Sequence, residues 1–161
     1  MSVPHRFSQI MAEIHALTLL PKSLLHQDLV RLSIKGVDFS MYPEVLADQA
    51  CVVFHCDLGD LPETEREAVL IWLLDNNFHL IKSIHPVSFC RNEESGRLML
   101  SALQPLAGIS ARTILDQMGS LADYALHWRT TFLLNENLPE RRGNGEVGAI
   151  AARTMRAREF L

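Results

Sequence analysis

Cys51, His55 and Cys56 are the residue types that ligate metals or carry nucleophilic chemistry, and they fall close together. The run Cys51-Val52-Val53-Phe54-His55-Cys56-Asp57-Leu58 reads as a β-strand ended by Gly59. On a strand, residues five apart point to opposite faces, so Cys51 and Cys56 cannot converge on one ion. Cys51 and His55 share a face, yet two ligands do not make a site, and no spacing recruits Cys90, His79, His85 or His127 to complete one. Buried or half-buried free thiols fit the pattern better. A Cys and His nucleophilic pair needs only closeness in space, but the sequence has no G-x-S-x-G elbow, H-E-x-x-H helix or Walker loop to mark one.

Gly143-Asn144-Gly145-Glu146-Val147-Gly148 matches the G-x-G-x-x-G dinucleotide pattern letter for letter. That fingerprint works between a strand and a helix of a βαβ unit, with an acid about 20 residues on to hold the ribose. Here no strand precedes it and 13 residues follow, so a flexible loop and no cofactor are expected. Glu63, Glu65 and Glu67 read as the solvated first turn of a helix, where carboxylates suit the dipole. No catalytic, cofactor or metal site is expected.

The elements that would position these residues follow from patterning. Phe7, Ile10, Met11, Ile14 and Leu17 recur at helical spacing behind Pro4, and Pro21 stops the pattern. Leu32 to Met41 alternates on either side of Gly36, predicting one strand with a glycine bulge or bend. Tyr42-Pro43-Glu44 and Asp48-Gln49 supply turn chemistry before the Cys51 strand. Asp60 and Glu63 suggest a capping box, with Pro62 in the first turn of a helix running to about Asn76. That helix is apolar over so much of its circumference, with Val69, Leu70, Trp72, Leu73 and Leu74, that burial on more than one side is expected.

Phe78, Leu80 and Ile81 are candidates for a short strand. Val87 to Arg91 and Arg97 to Leu103 flank Asn92-Glu93-Glu94-Ser95-Gly96 as a hairpin. Ser110 can cap a long closing helix, about 110–133, with Ile114, Met118, Leu121, Ala125, Trp128 and Phe132 on one side. The expected fold is α+β, a twisted antiparallel sheet of about five strands with three helices in the order α-β-β-(β)-α-β-β-α. It forms one domain over 1–134, followed by a flexible tail over 135–161 in which 149–160 is a candidate short helix.

Composition bounds the function. The chain has 161 residues, 48% apolar, with 15 Lys and Arg against 19 Asp and Glu. Its pI near 5.9 disfavours nucleic acid, whose phosphates call for a basic face. Residues 135–161 hold five arginines, diluted by four glutamates. The longest wholly apolar run, Ala68 to Leu74, is far short of the roughly 20 residues that span a bilayer. The start lacks an uninterrupted apolar stretch, so neither a signal peptide nor membrane insertion is expected. Three cysteines, an odd number, fit free thiols in a reducing, cytosolic compartment. More apolar faces are present than a small single-sheet core needs, which points to an interface.

The ordered set of elements resembles the class I type III secretion chaperones of the Tir chaperone family. The matching features are the strand running into Asp57-Leu58-Gly59-Asp60-Leu61-Pro62, the helix end Leu73-Leu74-Asp75-Asn76-Asn77-Phe78, the hairpin residues Gly96-Arg97-Leu98-Met99-Leu100, Pro105-Leu106, and the closing helix through Trp128. The resemblance covers about residues 5 to 133. It departs at Asn76, where a small residue is commoner, and in the long Arg-containing tail.

The resemblance implies a cytosolic bacterial homodimer, not an enzyme, that uses neither ATP nor a cofactor. It would hold an extended segment of a secreted effector or translocator. By the same analogy the dimer interface would draw on Val69, Trp72, Leu73 and Asn76. The effector grooves would use Phe7, Ile10, Met11, Ile14, Ile34, Val37, Phe39 and Met41. Two alternatives stand beside this reading: the same fold as a regulatory partner coupling secretion to transcription, and a small cysteine- or histidine-dependent enzyme.

Overall fold

The protein is described from a computed structural model over residues 3–80 and 86–132. The expected tail over 135–161, with its Gly143 to Gly148 loop and candidate helix, lies outside the described residues, as do Ile81 and His85.

Helix α1 spans Val3–Leu17 and turns Phe7, Ile10, Met11 and Ile14 into the core. Its end is closed by side chains: Thr18 Oγ1 donates to the Ile14 carbonyl at 2.8 Å and accepts from Leu20 N at 3.3 Å, while His15 Nδ1 lies 2.6 Å from the Leu20 carbonyl. After Pro21 a single 3-10 turn, Lys22–His26, leads to the sheet.

The five strands are β1 (Val30–Ile34), β2 (Val37–Leu46), β3 (Gln49–Gly59), β4 (Val87–Arg91) and β5 (Leu98–Pro105), in spatial order β1-β2-β3-β5-β4. Every neighbouring pair is antiparallel. Gly36 does not bulge a single strand. Lys35 and Gly36 both have positive φ, 53° and 78°, which makes them a two-residue hairpin loop and splits the run into β1 and β2. Ala47 and Asp48, at 48° and 63°, form the next such loop, so Tyr42-Pro43-Glu44 stays in β2 instead of turning.

Helix α2 spans Arg66–Leu80, later at both ends than its sequence suggests. The capping box at Asp60 does not form. Asp60 instead lies 3.5 Å from Arg97, Pro62 is buried, and Glu65 is left-handed with its carbonyl accepting the first helical bond, from Val69 N. Phe78 and Leu80 are therefore helical and form no strand. Helix α3, Ala111–Thr131, is capped as its sequence predicts: Ser110 Oγ accepts from Thr113 N at 3.1 Å.

One sheet face carries Val37, Phe39 and Met41 on β2, Val52, Phe54, Cys56 and Leu58 on β3, and Leu98, Leu100 and Ala102 on β5, all buried. Helices α1 and α3 pack on this face, with α3 lying over β3 and the fully buried Trp128 among its core contacts. Strand alternation puts Arg31, Asp38, Ser40, Tyr42, His55, Asp57, Met99 and Ser101 on the other face.

Candidate partner-binding site

The residues best suited to chemistry are dispersed by the sheet. Cys56 faces α3 and its thiol donates to the Leu121 carbonyl at 3.7 Å; burial raises its pKa to about 12. Cys51 and His55 occupy the opposite face, where His55 Nε2 pairs with Tyr42 Oη at 3.2 Å. Burial pushes the Cys51 and Cys90 thiols up and the His55 imidazole down. The thiol shifts keep each sulfur protonated, the opposite of what an activated cysteine nucleophile needs. Among the described residues no three His, Cys, Asp or Glu side chains gather where they could hold a metal.

The backbone offers more. Ile34 and Val37 flank the two-residue loop and bond to one another, so by alternation Leu32 and Val30 also point their N–H and C=O groups inward to β2. Arg31 and Ser33 then direct theirs outward, along the free edge of the sheet. Beside this edge runs a groove of about 530 Å³ lined by Leu29, Arg31, Leu32, Asp38, Phe39, Ser40, Asp57, Asn92 and Met99.

One wall of the groove is fixed by two arginines. Arg97 Nε reaches both Asp57 carboxylate oxygens, at 3.1 and 2.8 Å, and this contact raises the guanidinium's pKa. Arg129, near the end of α3, donates to the carbonyls of Asp57 at 2.8 Å, Leu58 at 3.2 Å and Gly36 at 3.5 Å. It ties α3 to the β1–β2 loop and to the end of β3.

A second surface lies on α2. Val69, Leu73 and Asn76 are 1%, 3% and 4% exposed and face the protein's own core, whereas Leu70, Ile71, Leu74 and Phe78 are 37%, 53%, 68% and 63% exposed. Trp72 is half-buried, its ring centroid 6.2 Å from that of Phe89 on β4. The apolar circumference is thus buried on one side, contrary to the sequence expectation, and open on the other. Of the residues named for a dimer interface, Val69, Leu73 and Asn76 turn away from the open stripe.

The residues named for effector grooves are placed similarly. Phe7, Ile10, Met11, Ile14, Val37, Phe39 and Met41 are buried in the core, and only Ile34 is partly exposed. They shape the α1 and sheet layers without offering a free surface; Phe39 alone also lines the groove. Sequence reasoning missed Arg31 and Ser33, whose contribution is backbone and depends on the hairpin register, and Ile71 and Phe78 on α2. For α2 a signal existed: at about 100° per residue, Glu67 and Asp75 fall in the same sector as Ile71, Leu74 and Phe78. Charges mark the side away from the core.

The fold is similar to the crystal structure of the ExsC-ExsE complex, with a TM-score of 0.65 and 20% identity over 81% of this chain and 96% of that one. It is also similar to the structure of the HopA1-SchA chaperone-effector complex, with a TM-score of 0.61 and 13% identity over 80% and 96% of the two chains. At these identities the likeness is one of fold. No curated protein sequence matches the chain. No helix among the described residues is long and apolar enough to cross a membrane. The model of the Tir chaperone protein (CesT) family matches residues 15–129, well over half of the sequence and every strand of the sheet, and the chain belongs to that family.

Proposed function

We propose that the protein is a cytosolic bacterial type III secretion chaperone. It binds an extended segment of a secreted effector or translocator as a homodimer and keeps that segment competent for export, with no catalysis, ATP or cofactor of its own. The observation that carries the reading is family membership over residues 15–129. The HopA1-SchA structure, a chaperone-effector complex, supports it at the level of fold.

The geometry supplies the means. A segment laid along β1 would take main-chain hydrogen bonds from Arg31 and Ser33 and set the side chains of one of its faces against Leu29, Asp38, Ser40 and Met99 in the groove. The entropy lost in ordering the segment is offset by wrapping a long surface. The α2 stripe of Leu70, Ile71, Leu74 and Phe78 suits a twofold contact, in which one patch meets its own copy.

The test is purification of the tagged chain from its native cytosol, with copurifying chains identified by mass spectrometry and mapped by limited proteolysis. One dominant secreted protein, protected over a single segment near its N-terminus, is the expected result. A clean protein with no partner, under full expression of the secretion genes, would contradict the reading.

A further inference from the structure

The sheet has a second edge, at β4. Leu103 N donates to the Pro86 carbonyl at 3.2 Å and Asn92 N to the Arg97 carbonyl at 2.9 Å, which fixes the phase of the β4 to β5 ladder. Residues 86, 88, 90 and 92 therefore bond inward, and Val87, Phe89 and Arg91 turn their N–H and C=O groups outward. The middle of these three positions is occupied by a side chain of α2. Asn77 Nδ2 donates to the Phe89 carbonyl at 3.0 Å, and Asn77 Oδ1 accepts from Phe89 N at 2.7 Å. A primary amide carries a donor and an acceptor side by side, as a peptide group does, and so replaces one rung of a neighbouring strand. Among the described residues no side chain does the same for Arg31 or Ser33 on β1.

We propose that Asn77 decides which edge of the sheet a strand-like partner can use, by occupying β4 and leaving β1 as the open edge. The inference rests on the β1 reading above and adds the residue that makes it one-sided. With Asn77 removed, β4 of one copy can meet β1 of the next. That contact is head-to-tail, so it joins further copies and builds assemblies larger than the wild-type species.

The experiment compares the full chain as wild type, Asn77→Ala, Ser33→Pro and the double variant. It reads sedimentation velocity over a range of concentrations and amide hydrogen exchange at Phe89. In the wild type the Phe89 amide should exchange at least about tenfold more slowly than that of Arg91 on the same edge. Asn77→Ala should still melt cooperatively, lose that protection, and sediment as species that grow with concentration. Adding Ser33→Pro removes an outward donor from β1 and should return the protein to wild-type size. An Asn77→Ala protein that melts cooperatively and sediments as wild type overturns the proposal, as does assembly that Ser33→Pro leaves intact. Should Asn77→Ala fail to fold, the wild-type exchange decides alone, and a Phe89 amide as fast as that of Arg91 overturns it. Failure of the β1 reading looks different: Ser33→Pro would keep its secreted partner while the self-assembly results stood.

Discussion

The three cysteines and His55 show how environment disposes of reactive residue types. Burial raises all three thiols, Cys56 to about 12, so little thiolate exists near neutral pH. Alkylation followed against pH should reveal no cysteine titrating below about 8 in the folded protein; one that does would revive the enzyme alternative. His55 has the opposite shift, because burial disfavours its protonated form. The unfolded chain takes up this proton near pH 6.5 while the folded one resists it. The resulting stability is complete above about 6.5 and declines as pH falls from there toward the lowered folded value. His55→Gln should therefore lose less melting temperature than wild type between about pH 7.5 and 5.5, and an equal or larger loss would contradict the assignment. The dispersal of Cys51 and Cys56 was legible in sequence, since alternation on a strand needs no tertiary knowledge. Asn77 was not, because its role exists only once α2 lies along β4.

At the scale of elements, α2 separates what periodicity can tell from what it cannot. Apolar residues lie nearly all round it, so the pattern announced a buried helix without saying which side meets the core. The stripe of Val69, Leu73 and Asn76 packs inward, and that of Leu70, Ile71, Leu74 and Phe78 does not. Two neighbouring leucines should then behave in opposite ways. Leu73→Ala should cost about 2–5 kcal/mol in chemical denaturation, as deletion of a core leucine does. Leu74→Asp should leave the monomer within about 0.5 kcal/mol of wild type and abolish the proposed dimer in sedimentation equilibrium. A dimeric Leu74→Asp protein would remove α2 from the interface. The hairpins carry a related lesson. Lys35-Gly36 and Ala47-Asp48 are two-residue loops whose paired positive φ values are unexpected for Lys and Ala. The sequence therefore reads as a bend at one and a misplaced turn at the other, while the strands on either side were legible from alternation. Arg129 pins both β1–β2 and β3 to α3 through carbonyls, and Arg129→Ala should lower the melting temperature by several degrees without altering the core.

Over the whole molecule, the order of helices and strands was legible because each element carries its own period, cap or turn. The proposed partner surface was not, because it is made of backbone at a sheet edge and of the leftover side of a helix. Phe7, Ile10, Met11, Ile14, Val37, Phe39 and Met41 illustrate the difficulty: an apolar stripe looks the same in sequence whether it fills a core or lines a groove. The proposed partner site is the edge at Arg31 and Ser33 and the groove beside it, whose wall is held by Arg97 and Arg129. The most direct measurement is copurification of the secreted partner with wild-type and Ser33→Pro protein from the same cytosol, alongside circular dichroism of both. The wild type should bring down one secreted protein, and Ser33→Pro, with an unchanged fold, at least about tenfold less of it. Equal recovery by a folded Ser33→Pro protein would contradict the β1 reading.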